Sequence, residues 1–411
     1  MWFSKSSPAR VYLDHASATP LLHEAAEAMR EAEKLVGNPG AIHAEAVAAK
    51  NALNDARERI ALLLGVKARE LVFTSGLTEA NNLAIVGFAR RMLVDGFSGQ
   101  GRTLSGSLDG THWIVSAIEH SSVLECFSEI ERLGGSVTHV SPNEKGIITP
   151  ESIVAVLKPE TVFVSVGWAN NEIGSVQPLG KIAQAIRLHE EKHGTRVIFH
   201  ADAGQAPLYE PTVAHSLGVD LLSISASKLY GPHGVGCLYL SNRTNVAGVV
   251  LGGKQERELR AGTENVALAV GFAAAFELVA RERHDESKRL KTLRDALARE
   301  LSENTPGLVI NGDLKHALPH MLNISIPDIH SEYLTLALDH EGFAVSTKSA
   351  CNEGQKASHV VEALGAELWR AENTLRISLG RATTRKEITH FRETFSRLLS
   401  HAIVPAWTSR S

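Results

Sequence analysis

Arg196-Val197-Ile198-Phe199-His200-Ala201-Asp202-Ala203-Gly204-Gln205 begins with β-branched and aromatic residues and closes on a carboxylate and an amide. Residues 196–200 read as a strand, and the polar groups follow just beyond its carboxyl end. Three more runs share this character: Leu71-Val72-Phe73-Thr74, Trp113-Ile114-Val115-Ser116 and Val162-Phe163-Val164-Ser165-Val166. Helical patterns over 79–93, 121–133 and 179–193 separate them. This alternation, from about residue 70 to 250, predicts an α/β fold with a mostly parallel sheet covered by helices on both faces. Ligands in such sheets gather at the carboxyl ends of the strands, where Asp202 and Ser75-Gly76 fall.

Outward from that region the pattern changes. A long helical stretch over 266–302 follows Thr263, and strands at 321–326 and 375–379 then mix with helices at 332–341 and 386–400. The expected division is a large domain of residues 15–275 and a smaller α+β domain built from 1–14 and 276–411. The Gly/Ser-rich stretch 96–110 is expected to be a mobile surface loop and an insertion. At 411 residues and 44% hydrophobic content the chain fills two cores. A net charge of −4 provides no basic field for nucleic acid. No apolar run matches a membrane span, and residues 1–8 lack the apolar stretch of a signal peptide. The expected location is the cytoplasm. There, Cys126 and Cys237 read as buried filler, while Cys351 sits in a loop-like composition.

Lys228 lies in Ser225-Ala226-Ser227-Lys228-Leu229-Tyr230-Gly231-Pro232-His233-Gly234. With Asp202 and Gln205 it supplies an amine, a carboxylate and an amide in the order a pyridoxal phosphate site needs. The amine forms a Schiff base, and the carboxylate keeps the pyridine nitrogen protonated so that the ring acts as an electron sink. Thr74-Ser75-Gly76-Leu77-Thr78-Glu79-Ala80-Asn81-Asn82 offers N–H donors and hydroxyls at a strand-to-helix turn, a phosphate cradle or simply a helix cap. His120, after the strand at 113–116, suits stacking on a ring and proton transfer, although a structural histidine fits there too. His189-Glu190-Glu191-Lys192-His193 matches H-E-x-x-H, but it ends a charged helix without a third ligand nearby, so zinc is not expected.

These segments, in order, resemble the cysteine desulfurases of the class V aminotransferase group. The resemblance runs from Tyr12-Leu13-Asp14 through Gly37-Asn38-Pro39 to Arg376-Ile377-Ser378-Leu379-Gly380-Arg381. It implies a fold type I pyridoxal phosphate-dependent transferase. By the same resemblance Lys228 carries the cofactor, Asp202 and Gln205 meet the pyridine nitrogen and ring oxygen, and His120 stacks on the ring. Gly76, Leu77, Thr78 and Ser225 hold the phosphate, with Ser227 beside them. Asn170 lies near the ring oxygen and substrate, and Arg376 grips the substrate carboxylate, a task suited to its planar fork. Arg260-Ala261-Gly262-Thr263 is similar to an element that reaches the phosphate across a homodimer interface through Thr263. Cys351, in Ser346-Thr347-Lys348-Ser349-Ala350-Cys351, matches the cysteine that accepts sulfur from L-cysteine as a persulfide, and nearby Lys348 favours its thiolate. Persulfide sulfur then passes to an acceptor protein, such as an iron–sulfur scaffold or a sulfurtransferase.

Some positions depart from the family pattern. Ser227 stands where histidine is common and so lacks its positive charge. Lys254 interrupts a Gly-Gly-Gly-Gln-Glu sequence, and residues 352–356 differ from familiar members. A selenocysteine lyase, a degenerate cofactor-binding scaffold and an aminotransferase are the competing readings. The last needs no nucleophilic cysteine.

Overall fold

Period-two alternation organises the central sheet. Ile198 faces one apolar cluster with Phe163, Leu221 and Leu238; Phe199 and Ala201 face another with Val164, Leu222 and Ile224. Both faces of these strands are buried, as expected of a sheet flanked by helices. The computed structural model describes residues 10–95, 97–98, 101–102, 107–347 and 357–402. In spatial order the seven strands are Leu71–Thr74, Gly236–Leu240, Leu221–Ser225, Ile198–Asp202, Thr161–Ser165, His112–Ser116 and Ser136–Val140. Only Gly236–Leu240 runs antiparallel to its neighbours. Helices Leu77–Asp95 and Ser121–Arg132 cover one face through Leu83, Ile85, Phe127 and Ile130. Helices Ala44–Leu64, Leu179–His193 and Val266–Asn304 cover the other.

The long helix Val266–Asn304 begins on an Asn265 cap, whose Oδ1 accepts from Leu268 N at 3.0 Å. Its first half packs on the helices His23–Ala32 and Ala44–Leu64 and buries Phe272 and Phe276 in the core shared with the large sheet; Leu297 and Leu301 reach the same continuous core near the second sheet. That antiparallel sheet comprises Val309–Ile310, Met321–Ser325 and Thr374–Ser378. Val11–Tyr12 pairs in parallel with Phe343–Ala344, and Asp14 bridges to Ser378. From there the chain crosses to the large sheet, where Thr19 N donates to Ser227 O at 3.1 Å and Leu22 N to Tyr230 O at 2.9 Å. The amino-terminal segment thereby straps the two sheets together beside Lys228. Among the described residues, no helix is long and apolar enough to cross a membrane.

The stretch 96–110 is not simply a loop. Phe97–Ser98 pairs with Gly101–Arg102, and Leu108 is fully buried against the Trp113 cluster; residues 96, 99–100 and 103–106 lie outside the described residues. Apolar demand from Leu108 outweighs the polar composition around it. The H-E-x-x-H pair ends its helix as two rings 4.5 Å apart, and its Glu190 is engaged by Arg187 and the backbone N–H of Val197.

Candidate active site

The parallel strands end along one edge of the sheet, and the antiparallel strand starts there. Their turns enclose a cavity of about 340 Å³. Lys228, Asp202, Gln205, His120, Asn170 and Arg376 all line it, as do Gly76, Leu77, Thr78, Ser225 and Ser227.

Lys228 closes the short helical turn Ala226–Lys228 that follows the strand Leu221–Ser225. Its Nζ donates to Ala16 O at 3.1 Å and to Ser17 O. Asp202 ends its own strand, buried, with Oδ1 accepting from Gly204 N at 2.8 Å and Oδ2 from Asn81 Nδ2 at 2.7 Å. Burial pushes its carboxyl above the usual range; the Asn81 amide, His120, Gly204 N–H and Lys228 pull it back. Gln205 donates from Nε2 to Ala16 O at 2.8 Å.

His120 caps the helix Ser121–Arg132, four residues beyond the end of its strand rather than directly at it. Burial lowers its pKa, against the opposing pull of Asp202. Asn170 acts mainly on the backbone: Oδ1 accepts from Glu172 N and Ile173 N at 2.8 and 2.9 Å, and Nδ2 donates to Ile118 O at 2.9 Å. It shapes the wall through that turn.

At the other end, Gly76 opens the helix Leu77–Asp95, whose amino terminus faces the cavity. Thr78 lies in its first turn, and Ser225 Oγ and Ser227 Oγ sit 3.0 Å apart nearby. The dipole end and hydroxyls suit an anion. Glu79 also borders the cavity, with its charge balanced: one oxygen accepts from Ser75 N at 2.7 Å and the other from Arg260 Nε at 3.1 Å. Thr263 is exposed and does not line the cavity of its own chain.

Arg376 is held from several sides. Its Nη1 donates to Asn171 O at 2.8 Å, and its Nη2 to Asp14 Oδ1 at 2.8 Å and Ser17 Oγ at 2.6 Å. Cys351 and Lys348 lie outside the described residues. The flanks of that segment are anchored at the cavity walls. Ser346 and Arg376 exchange backbone bonds of 3.1 and 2.6 Å, and Ser358 Oγ donates to the buried Glu172 at 2.5 Å. Cys126 and Cys237 are buried, with thiols pushed up to about 12 by desolvation.

The sequence reading missed Asn81, Ser122, Glu119 and the Asp14–Ser17 strap. A polar side chain amid Ala80, Leu83 and Ala84 on a buried helix was the available signal for Asn81. Two cavity-lining residues carry a buried polar atom with no hydrogen-bond partner among the described residues, Gln205 Oε1 and Arg376 Nε, and so does Asn81 Oδ1 behind Asp202. Leaving such atoms dry is costly, so the site is built for a polar ligand. An amine, a buried carboxylate, an imidazole and a helix amino terminus in one cavity fit pyridoxal phosphate group by group.

The class-V aminotransferase family pattern matches residues 11–391. The cysteine desulfurase IscS of Dictyoglomus turgidum is 37% identical over 391 residues, covering 95% of this chain and 94% of its own. A putative cysteine desulfurase, IscS 1 of Bacillus subtilis, is 35% identical over 92% of this chain and 96% of its own. Among solved structures, a NifS-like protein superposes with a TM-score of 0.86 at 30% identity, covering 95% of this chain and all of that one. SspA in complex with cysteine gives 0.75 at 31% identity over 90% and 98%. The fold is that of the type I pyridoxal phosphate enzymes, and the chain belongs to the class-V aminotransferase family and, within it, to the cysteine desulfurases.

Proposed function

We infer that the cavity carries out pyridoxal phosphate-dependent desulfuration of L-cysteine, giving L-alanine and sulfur bound to the enzyme. The observation that carries this reading is Lys228 and Asp202 lining one cavity with the fork of Arg376. When bound, pyridoxal phosphate supplies the electron sink for the carbon that loses its proton. Lys228 Nζ, oriented by the carbonyls of Ala16 and Ser17, would hold the cofactor's aldehyde and, once the substrate amine replaces it there, would be free to accept the proton from the substrate carbon. Asp202 would meet the pyridine nitrogen, His120 would cover the ring, and the turn at Gly76 to Thr78 with Ser225 and Ser227 would take the phosphate. Gln205 and Asn170 would serve the side of the ring oxygen. Arg376 binds the substrate carboxylate, steadied by Asp14. Cys351 takes the sulfur: an S–S bond forms as the substrate C–S bond breaks, and the electron pair left on carbon is protonated. The anchored flanks Ser346 and Ser358 support delivery of that residue to the cavity.

The enzyme works as a homodimer in which Thr263 reaches the partner's phosphate, and the persulfide is handed to an acceptor protein. The free thiols Cys126 and Cys237 agree with a reducing cytoplasm. The test incubates purified protein, L-cysteine and a reductant, then measures sulfide and alanine together. Equal yields are expected. Lys228→Ala should lose both products, by at least about a thousandfold, and Cys351→Ser should lose sulfide while keeping the cofactor's visible band. A protein that binds the cofactor and makes neither product overturns the reading. Equal turnover of L-selenocysteine in the Cys351→Ser variant would favour a lyase instead.

A further inference from the structure

We propose that Asn81 and Ser122 form a positioning relay that ties the carboxylate beneath the cofactor ring to the imidazole above it, fixing His120 as its Nε2–H tautomer. The inference rests on the reading of the cavity given above. Asn81 is fully buried in the helix Leu77–Asp95. Its single amide nitrogen reaches two acceptors, Asp202 Oδ2 at 2.7 Å and Ser122 Oγ at 3.0 Å. The opposite orientation of the amide would set oxygen against carboxylate oxygen at 2.7 Å, which is repulsive.

Because Ser122 Oγ accepts from Asn81, its own proton is free to point at His120 Nδ1, 2.9 Å away. The backbone N–H of Ser122 also donates to Nδ1, at 3.1 Å. Two donors converge on one ring nitrogen, so Nδ1 is the acceptor and the ring proton sits on Nε2. One amide group therefore opposes the upward push of burial on the Asp202 carboxyl and, through one hydroxyl, sets which nitrogen of His120 can donate. The charges around His120 include Asp202, Lys228, Glu172 and His359, and Glu119 faces Asp202 from the neighbouring turn. Burial drives the imidazole toward neutrality, in accord with an acceptor Nδ1.

Two variants separate the arms of the relay. Ser122→Ala cuts only the hydroxyl link to His120; Asn81→Leu keeps the branched shape and cuts both. Nitrogen-15 histidine spectra of the purified protein, with and without added pyridoxal phosphate, report the His120 tautomer, with His120→Gln identifying its signals. The wild type should show protonated Nε2, and Ser122→Ala, which leaves only the backbone N–H on Nδ1, should weaken that preference while binding the cofactor within about twofold of wild type. The pH profile of single turnover with L-cysteine should move by about one unit in this variant. Asn81→Leu should in addition weaken cofactor binding about tenfold or more, the loss expected for a hydrogen bond to a charged group. Unchanged tautomer signals in Ser122→Ala overturn the relay, whether or not Asn81→Leu folds. A wild type that takes up no cofactor defeats the functional reading instead, and the tautomer of the cofactor-free chain still decides the relay.

Discussion

Glu119 is a carboxylic acid with almost no water around it. It is buried at the cavity wall, its Oε1 accepts from Gly167 N at 2.6 Å, and desolvation raises its pKa to about 8, with the Asp202 charge adding to the rise. An acid whose folded pKa exceeds its unfolded value contributes stability that is full below pH 4.5 and lost as pH climbs through about 8. Glu119→Gln keeps the acceptor for Gly167 and removes the titration. Melting temperatures followed across that window should show the wild type losing a few degrees relative to the variant. Parallel curves for the two proteins would mean that Glu119 is ionised in the fold. At this scale the sequence singled out Lys228, Asp202 and His120, each chemically distinctive by itself, and the structure brings the three to one cavity. Asn81, Ser122 and Glu119 act through other residues, and their importance depends on which turns meet at the sheet edge. Asn170, expected near the ring oxygen and substrate, lines the cavity while its amide also shapes a turn.

Elements were legible in proportion to how completely they are buried. The strand runs at 71–74, 113–116 and 162–166 are apolar on both faces and stand within a residue of where they were expected. Ser136–Val140 escaped notice because it is an edge strand with exposed and half-exposed Ser, Val, Thr and His before its one buried residue. Ala44–Leu64 escaped because its many alanines give a weak apolar stripe. The antiparallel strand Gly236–Leu240 could not be told from a parallel one by composition, yet its position matters for the site. A Cβ on Gly236 would lie 2.5 Å from Ile224 O and 3.0 Å from Gly76 Cα, both backbone atoms. Gly236 thus lets the strand approach the Gly76 turn that opens the helix Leu77–Asp95 at the cavity. Gly236→Ala should displace Gly76, destabilise the fold by about 1–3 kcal/mol and weaken cofactor binding beyond that loss. Melting curves and a cofactor titration check it; wild-type affinity would show that the turn tolerates the shift.

The whole molecule leaves large apolar side chains in water on segments that lead to the cavity. Val36 and Ile42 are 84% and 97% exposed, and Leu251 is 69% exposed. Their two segments meet: Pro39 and Gly40 border the same depression as Lys254, Gln255 and Glu264. The second segment is held rigidly. Glu256, Arg257 and Glu258 all adopt positive φ, and the buried Glu256 is clamped by Arg57 at 2.7 and 2.5 Å and by Phe73 N at 2.9 Å. Strained backbone of this kind persists only where its surroundings enforce it. Arg260 then touches Glu79 at the cavity rim, and Thr263 remains exposed three residues on. A second copy covering Ile42 and Leu251 would bury the apolar groups and bring its own Thr263 to a neighbouring rim. Leu251→Asp should therefore weaken association about a hundredfold, because the partner would bury an unpaired charge. In sedimentation the wild type should run as a dimer and Leu251→Asp should dissociate on dilution, losing cofactor as it does. Thr263→Ala should stay dimeric yet bind the cofactor less tightly. A Leu251→Asp protein that remains a fully loaded dimer would place the interface on another face.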